Sequence, residues 1–324
     1  PLSAEEGNFS LAYIITIHKE LAMFVQLLRA IYVPQNVYCI HVDEKAPEKY
    51  KTAVKTLVNC FENVFLSSES EQVTYTSFTR LQADINCMND LVHSRFQWNY
   101  VINLCEQDFP IKTNKEIIHY IKSKWNDKNI TPGVIQSSNI KSKINQSHPE
   151  LSTEGNIYVS PNERFKEEPP HNITIYFGSA YYVLTRKFVE FVLTDTRAKD
   201  MLQWSKDIHS PERHYWVTLN RLKGATPNAG WEGNELKVES LCPGQLCIWP
   251  RGPAMDHSIT FFICQQISLN RLPCGHMLGE ETPADTEASR GSCGTTVAIS
   301  TADSFQYETE SLASIFKSIT LFPK

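Results

Sequence analysis

Two short apolar runs on either side of an amphipathic segment constrain the fold of this chain more than any other feature. Leu11–Ile17 is apolar and rich in β-branched residues, and Lys19–Tyr32 carries apolar residues at helical spacing. Pro34 interrupts the helical pattern, and a second apolar run, Val37–Val42, ends at Asp43. Strand, helix and strand in this order form a βαβ unit, which requires a parallel sheet. The sequence therefore predicts an α/β fold.

The alternation of strands and helices continues, less regularly, along the first two-thirds of the chain. The pattern predicts further strands at Asn63–Leu66, Tyr100–Leu104, Ile173–Phe177 and Tyr182–Thr185, and helices at Phe78–Val92, after an N-cap at Asn114, from Arg186 onward and around Pro211–Leu222. Residues 126–170 are polar and lack periodicity, which predicts a long surface excursion. Residues 241–305 are rich in Cys, Pro, Gly, Ser and Thr and show no sustained period.

Composition and charge indicate which partners the chain can bind and in which cellular compartment it folds. The net charge of -5 comes from 31 basic and 36 acidic residues without a long run of either sign, which argues against nucleic-acid binding. No stretch approaches the roughly 20 apolar residues of a membrane span. Because the chain starts at Pro1 rather than Met, we expect a removed anchor or signal upstream. Nine cysteines and four Asn-x-Ser/Thr sequons indicate an oxidising, glycosylating compartment. The sequons lie at Asn8, Asn129, Asn145 and Asn172.

The carboxyl ends of the predicted strands form the default ligand site, because ligands of open parallel sheets bind there. His18, Asp43 and the segment after Leu104 occupy these ends. Asp43 can accept hydrogen bonds from a ribose or a uracil, or alternatively cap a turn. His18 is either a ligand-binding residue or an ordinary loop histidine.

Several motifs that would indicate other chemistry are absent. The sequence has no Asp-x-Asp to hold a metal on a diphosphate, and Glu106-x-Asp108 is only a weak substitute. A site without a metal must balance a leaving diphosphate with Lys or Arg. The phosphate loops of kinases and dinucleotide enzymes and the Gly-x-Ser-x-Gly nucleophile elbow of hydrolases are also absent, as are cysteine and histidine pairs at zinc-ligand spacing.

Five strings in order along residues 9–234 identify a family resemblance. They read LLRAIYVPQNVYCIHVDEKA, FTRLQADINCMNDL, YVINLCEQDFPIKTNKEI, HNITIYFGSAYYVLTR and LQWSKDIHSPERHYWVTLNR. Together they resemble the β-1,6-N-acetylglucosaminyltransferases that build core 2 O-glycan branches and I-type branches. More distantly, they resemble the protein O-xylosyltransferases.

The resemblance implies a GT-A-like fold with a mixed, mainly parallel sheet flanked by helices. It also implies UDP-GlcNAc as the donor, no divalent metal or other cofactor, an inverting single displacement, a glycoprotein O-glycan acceptor and a type II anchor in the Golgi membrane. Carried over by position, Thr16, Ile17, His18, Asp43 and Tyr75 would line the UDP pocket. Ordinary packing is the alternative role for Tyr75.

The resemblance further assigns three groups of cysteines. It implies a disulfide between Cys39 and Cys87, a buried free thiol at Cys105, and for Cys60 a partner upstream of Pro1.

The position of the family's catalytic base differs in this chain. Family members carry a Ser-Pro-Asp-Glu motif whose Glu takes the proton of the acceptor hydroxyl. Here Ser210 and Pro211 are followed by Glu212 and Arg213, so Arg213 occupies the position of the base. An arginine stays protonated and cannot serve. Glu212 either substitutes as the base through a local register shift, or the activity is lost or changed.

The last third of the chain lacks the family's closing motifs, among them an Ala-Asn-Lys whose neighbourhood balances the diphosphate. Cys247–Ile267, back-translated and read one nucleotide later, can encode VYGPGDLPWIIQSPSLFANKF, which resembles the missing part. In that frame Trp249-Pro250 must encode Gly and Met255-Asp256 must encode Trp. We therefore hypothesise that the chain leaves the ancestral reading frame between residues 234 and 247.

These observations predict a domain organisation and two candidate functions. Residues 1–234 would form the transferase domain, with a donor half at 9–125 and an acceptor half at 126–234, and residues 235–324 a divergent, poorly ordered tail. The first function is that of a Golgi β-1,6-N-acetylglucosaminyltransferase. The second is that of a catalytically impaired Golgi protein that binds glycans or a partner transferase.

The reading-frame hypothesis predicts a specific result from the transcript. Sequencing across codons 234–247 should reveal an insertion, a deletion or an alternative splice junction that shifts the frame by one nucleotide. An uninterrupted message that encodes residues 235–280 from nucleotides unrelated to the family would contradict it.

Overall fold

The computed structural model describes residues 3–225, except Tyr75 and residues 136–143, 154–155 and 163, together with one later strand, Ile263–Gln265. All of them belong to the first of two compact units, Pro1–Ile267, and the second unit, Ser268–Lys324, lies outside the described residues. Apart from Ile263–Gln265, the predicted poorly ordered tail also lies outside them.

Helices and short strands alternate along the described chain. The helices are α1 (Ala4–Gly7), α2 (Leu21–Ile31), α3 (Glu48–Val58), α4 (Phe78–His93), α5 (Asn114–Lys124), α6 (Arg186–Thr194), α7 (Thr196–Trp204) and α8 (Glu212–Leu219). The strands are β1 (Leu11–Ile17), β2 (Val37–Val42), β3 (Val64–Leu66), β4 (Tyr100–Cys105), β5 (Asp108–Pro110), β6 (Gly133–Ile135), β7 (Glu150–Thr153), β8 (Asn156–Val159), β9 (Tyr176–Gly178), β10 (Val183–Thr185) and β11 (Ile263–Gln265).

A five-stranded sheet forms the centre of the fold, in the order β10-β4-β1-β2-β3. The four strands from β4 to β3 are parallel, and β10 pairs with β4 in the antiparallel direction. Parallel neighbours cannot be joined by tight turns, so α2, α3 and α4 carry the chain from each parallel strand to the next. The predicted α/β fold with a mixed, mainly parallel sheet is confirmed.

Burial on both faces explains why the central strands are continuous apolar runs. All six residues of β2 are buried, as are all residues of β1 except Thr16, which is half-buried. Helix α2 covers the sheet with the stripe Phe24, Leu27, Leu28 and Ile31. A disulfide joins Cys39 of β2 to Cys87 of α4, the pair that the resemblance implied, and it ties this helix to the sheet. Within the described residues, neither the exposed Cys60 nor the half-buried Cys105 forms a disulfide.

Some boundaries differ from the sequence-based expectations. Thr113, and not Asn114, caps α5, because Thr113 and Glu116 form a reciprocal capping box. The side chain of Asn114 instead accepts a hydrogen bond from Asn36 and donates one to Glu6. Only the end of the predicted strand Ile173–Phe177 is extended and paired, as part of β9 against β6.

Other elements were not anticipated. Helices α3 and α7 were not predicted from the sequence. The hairpin β7–β8 lies within the excursion at 126–170.

The sequon residue Asn129 is part of the folded framework. Its Oδ1 accepts hydrogen bonds from the backbone N–H (2.8 Å) and the hydroxyl (3.0 Å) of Thr185, and its Nδ2 donates to Asn220 (2.8 Å). The side chain is buried, whereas Asn8, Asn145 and Asn172 are exposed. This geometry argues against a glycan on Asn129 in the folded chain, because the accepting nitrogen is enclosed and bonded.

Glycan occupancy and stability test this placement. In protein secreted from mammalian cells, glycopeptide mass spectrometry should find glycans at the exposed sequons and none at Asn129. Asn129→Ala should lower the free energy of unfolding by about 2–3 kcal/mol, because buried groups lose hydrogen bonds, whereas Asn8→Ala should change it by less than about 0.5 kcal/mol. An occupied Asn129 in natively folded protein would contradict the prediction.

Candidate functional site

A single carboxylate, Glu106, holds together the carboxyl ends of β1 and β4. Its Oε2 accepts hydrogen bonds from the backbone N–H groups of His18 (2.9 Å), Lys19 (3.3 Å) and Glu20 (3.4 Å), and from the Tyr50 hydroxyl (3.2 Å). Its Oε1 lies 2.7 Å from Nδ1 of His18. Three successive N–H groups at the start of α2 therefore converge on one buried anion, which matches the partial positive charge of a helix N-terminus.

These contacts determine the charge of Glu106. Burial alone would raise the pKa of its carboxyl group, but the hydrogen bonds and the charge of His18 outweigh burial and lower the pKa to about 2. Glu106 is thus an anion at neutral pH whose Oε2 accepts four hydrogen bonds from protein groups, while its Oε1 faces His18. The predicted metal substitute, Glu106-x-Asp108, is not free for a cation at this position, because Asp108 also accepts a hydrogen bond from the Cys105 backbone N–H (2.7 Å).

The first three predicted donor residues lie directly at this edge. The carbonyl of Thr16 accepts the Glu106 backbone N–H (3.2 Å), and the carbonyl of Ile17 accepts the Asp43 backbone N–H (2.9 Å). The Ile17 side chain is fully buried, so only its backbone faces the edge. His18 is the exposed member, with 47% of its side chain accessible. Its Nδ1 lies against Glu106, as an ordinary loop histidine would, and its predicted contact with UDP stays a prediction.

Asp43 is buried at the end of β2, next to the same edge. Its Oδ1 accepts the backbone N–H of Lys45 (2.9 Å), which is the turn-capping role considered as an alternative. The Lys45 ammonium reaches the carbonyl of Val73 (2.6 Å), and the backbone N–H of Glu44 donates to the carbonyl of Glu71 (3.0 Å). Asp43 therefore holds a turn against the segment 71–74, while its second oxygen can still accept a hydrogen bond from a ligand.

A buried histidine, His41, holds the segment 71–74 through a hydrogen bond. Nε2 of His41 accepts the backbone N–H of Glu71 (2.9 Å), and burial lowers the pKa of His41 to about 4, so the ring is neutral. Tyr75 lies outside the described residues, so its predicted contact with UDP stays a prediction. Its neighbours are anchored: Thr74 donates its N–H to Thr79 (3.2 Å), and Thr76 accepts the N–H of Ser210 (2.8 Å).

The hydrogen bond between Ser210 and Thr76 places Arg213, at the position of the family's base, near the segment around Tyr75 in the chain. Arg213 lies in the first turn of α8, where its Nε donates to the carbonyl of Gly178 (3.2 Å) and its guanidinium carbon lies 4.3 Å from the centroid of the Phe177 ring. Glu212 points elsewhere: it is 4% exposed, and its Oε2 is buried without a hydrogen-bond partner among the described residues. Two adjacent residues thus place a cation and a carboxylate in different environments.

The environment of Glu212 contains a cluster that the sequence analysis missed. Arg80 and Asp84 of α4, Asp108 of β5 and Glu212 interact electrostatically. Burial raises the pKa of Asp84 to about 7 and that of Asp108 to about 6, and it also raises the pKa of Glu212. The sequence did contain a signal, because Asp84 falls on the same helical face as Leu81 and Met88, where a charged residue is unusual.

No group of three or more His, Cys, Asp or Glu side chains is arranged to hold a metal ion within the described part of the chain. None of the described helices has the length and apolar character of a membrane span.

Comparison with known proteins agrees with this geometry. The model of the Core-2/I-Branching enzyme family matches residues 11–264. The chain belongs to the Core-2/I-branching enzyme family. The match extends 30 residues beyond residue 234, where the visible resemblance ended. Within the strand Ile263–Gln265 it covers residues that pair with β5.

Individual relatives give the same assignment. A human protein called "Probable beta-1,3-galactosyl-O-glycosyl-glycoprotein beta-1,6-N-acetylglucosaminyltransferase 7" is 82% identical over 268 residues, which cover 78% of this chain and 62% of that protein. A human N-acetyllactosaminide β-1,6-N-acetylglucosaminyl-transferase is 52% identical over 236 residues, which cover 72% of this chain and 58% of that protein. The chain thus spans about three-fifths of the length of these relatives.

The central role of Glu106 predicts a pH-dependent loss of stability in Glu106→Gln. Because the pKa of Glu106 is lower in the folded chain than in the unfolded chain, its charge stabilises the fold above about pH 4.5, and this contribution is lost as pH falls towards 2. We expect Glu106→Gln to lower the free energy of unfolding by about 2–4 kcal/mol at pH 7 and by much less at pH 3. Urea titrations at both pH values measure the difference. Glu62→Gln, at an exposed position, is the control, and an equal loss at both pH values would contradict the prediction.

Proposed function

We propose that this family member is a β-1,6-N-acetylglucosaminyltransferase that transfers GlcNAc from UDP-GlcNAc to a galactose or GalNAc acceptor in glycoprotein O-glycan branching. The observation that carries the proposal is the 82% identity to a human protein whose name states this activity on β-1,3-galactosyl-O-glycosyl-glycoproteins. The layout of the sheet supports it, since His18 and Asp43, two of the residues predicted for the donor site, follow the carboxyl ends of the adjacent parallel strands β1 and β2.

In this proposal, the donor binds across the ends of β1 and β2. Asp43 accepts a hydrogen bond from the ribose or uracil, His18 borders the open side, and the backbone of Thr16 and Ile17 forms the floor. Tyr75 contributes from the segment whose neighbours Thr74 and Thr76 are anchored. The reaction uses no divalent metal, and Lys or Arg side chains balance the charge of the leaving diphosphate.

The chemical step requires a base for the acceptor's primary hydroxyl group. The hydroxyl oxygen forms a bond to the anomeric carbon of GlcNAc while the bond from that carbon to UDP breaks, and UDP leaves with the electron pair. We assign the released proton to Glu212, the carboxylate adjacent to the family's base position. Its buried Oε2, which lacks a hydrogen-bond partner among the described residues, is the accepting atom.

A second candidate function is favoured by one observation. Arg213 stands where the family has its base, and its guanidinium group is held by Gly178 and Phe177. A chain with this arrangement can keep the fold and bind a glycan or a partner transferase without catalysing transfer. For either function we place the protein in the Golgi lumen, on a type II membrane anchor upstream of Pro1.

A transfer assay separates the two candidates. The chain, a version with the family reading frame restored after residue 234, and Arg213→Glu in each should be incubated with UDP-GlcNAc and a Galβ1,3GalNAc acceptor without metal. We expect transfer by the restored version, and a rise of at least about tenfold in kcat when Glu replaces Arg213, because a positioned general base contributes 10²–10⁴-fold.

The donor site has its own control. Asp43→Asn should raise the KM for UDP-GlcNAc at least about fivefold, the effect of one lost charge-assisted hydrogen bond of about 1 kcal/mol or more, and leave the urea unfolding midpoint of the chain nearly unchanged. Saccharide binding without transfer in every version would favour the second function.

A further inference from the structure

The contact between Glu106 and His18 determines which nitrogen of the histidine ring carries a proton. Nδ1 of His18 lies 2.7 Å from Oε1 of Glu106, a buried oxygen that accepts no other hydrogen bond within the described part of the chain. Burial opposes ionisation, but the contacts of Glu106 lower the pKa of its carboxyl group to about 2, so it has no proton to share at neutral pH. A bare Nδ1 at this distance would place two lone pairs against each other. Nδ1 is therefore the protonated nitrogen.

The other oxygen of Glu106 keeps the carboxylate in this position. Oε2 accepts hydrogen bonds from three successive backbone N–H groups and one hydroxyl group, those of His18 (2.9 Å), Lys19 (3.3 Å), Glu20 (3.4 Å) and Tyr50 (3.2 Å). A different rotamer of Glu106 would break these bonds in a place where its side chain is only 1% exposed. The carboxylate therefore cannot turn away from the ring, and Oε1 stays against Nδ1.

The second ring nitrogen of His18, Nε2, is the one that a ligand can reach. It points away from Glu106, nearly half of the side chain is accessible, and no described residue is hydrogen-bonded to this nitrogen. With the proton on Nδ1, Nε2 of the neutral ring carries a lone pair and accepts a hydrogen bond. The buried carboxylate thus makes the exposed side of His18 an acceptor.

A second unused acceptor lies beside it. Asp43 follows β2 as His18 follows β1, each directly after the register partners Val42 and Ile17. Asp43 is 6% exposed, and its Oδ1 accepts the backbone N–H of Lys45 (2.9 Å), whereas Oδ2 accepts no hydrogen bond from the residues that the structure describes. Because neighbouring strands lie about 4.7–4.9 Å apart, the two acceptors stand side by side at the edge of the sheet.

The chemistry of a nucleotide decides which of its groups such acceptors select. A ribose hydroxyl group both donates and accepts, whereas N3–H of uracil only donates and N3 of cytosine only accepts. A nitrogen that is fixed as an acceptor therefore discriminates between the two bases but not between hydroxyl groups. A diphosphate offers no donor and would meet the two carboxylates of Asp43 and Glu106 at this edge. Nε2 of His18 accordingly suits the base, and Asp43 suits the ribose.

We propose that Glu106 is the positioning residue that makes His18 specific for uracil: it holds the ring with Nδ1 protonated, so that Nε2 accepts the N3–H of uracil while Asp43 accepts a ribose hydroxyl group. The inference rests on the proposed function, in which UDP-GlcNAc binds across the ends of β1 and β2. It gives Glu106, which touches no part of the donor, a defined effect on the choice of nucleotide.

The substitution Glu106→Gln should reverse the tautomer of His18. The amide oxygen must take the place of Oε2, because four donors point at it, so the amide NH₂ group faces Nδ1. Nδ1 then accepts, and the proton moves to Nε2. The ten histidines of the full chain are labelled with ¹⁵N, and the His18 signals are assigned by their loss in His18→Phe. At about pH 8, where a histidine ring is ordinarily neutral, we expect a bare Nε2 in the parent and a bare Nδ1 in Glu106→Gln.

Another histidine and carboxylate provide a matched control. Nε2 of His171 lies 2.6 Å from Oδ2 of Asp200, a contact of the same kind, but the Asp200 side chain is 46% exposed. Asp200→Asn removes this carboxylate without touching the sheet edge. It should leave the His18 signals and nucleotide binding unchanged, which separates the effect of the buried Glu106 from that of losing any carboxylate next to a histidine.

Nucleotide binding tests the choice of base without requiring transfer. Calorimetry at the same pH measures the Kd of UDP and of CDP for the parent, Glu106→Gln, His18→Phe and Asp200→Asn, in the full chain and in the frame-restored version. The parent should bind UDP more tightly than CDP, and both site variants should reduce this preference at least about fivefold. Only Glu106→Gln should bind CDP more tightly than the parent does, because its Nε2–H can donate to N3 of cytosine. A general loss of structure would weaken both nucleotides instead.

Two of these measurements apply even if Glu106→Gln does not fold. A bare Nδ1 of His18 in the parent chain, or an unchanged preference for UDP over CDP in His18→Phe, would overturn the proposal. In a folded Glu106→Gln, a bare Nε2 or weaker CDP binding would do the same. Absence of transfer in every version would overturn the proposed function, while the tautomer and the nucleotide preference would still decide the role of Glu106.

Discussion

The carboxylate of Glu106 is the interaction on which the rest of the candidate site depends. From a position just beyond β4, it accepts hydrogen bonds from three backbone N–H groups at the start of α2 and contacts the ring of His18. An open parallel sheet leaves the turns after its strands without mutual support, because each turn leads into a separate crossover helix. One buried anion therefore fixes the relative position of two turns, and the turn after β2 joins them through the Asp43 N–H and the Ile17 carbonyl.

A second group of charges lies near the same end of β4, where Asn103 donates to Asp84 and the Cys105 N–H donates to Asp108. Glu106 is held ionised by many donors, whereas Asp84 and Asp108 lie where burial opposes ionisation. Both environments lie at the end of β4, where Glu106 and Asp108 are only two residues apart in the chain. Neighbouring carboxyl groups with opposite protonation preferences are typical of sites that move a proton.

The sequence predicted the framework well for a physical reason. Strands such as Val37–Val42 are buried on both faces, so their apolar character is continuous and independent of distant contacts. The predicted N-cap of α5, Asn114, was wrong. Thr113 and Asn114 are both good capping residues, and only the reciprocal hydrogen bonds between Thr113 and Glu116 decide between them. The role of Glu106 could not be derived, since it depends on backbone N–H groups more than 80 residues away in the chain.

The groups around Arg213 determine what the arginine does at the position where the family has a glutamate. In a water-exposed position an arginine beside Glu212 would compete for the carboxylate, but the Gly178 carbonyl and the Phe177 ring engage this guanidinium group instead. Gly178 is itself constrained, because a Cβ there would collide with the carbonyl of Pro132. The guanidinium group of Arg213 therefore binds to β9, while Glu212 faces α4. A glutamate at residue 213 would start from the β9 side of α8, so its carboxylate and that of Glu212 would approach an acceptor from different directions.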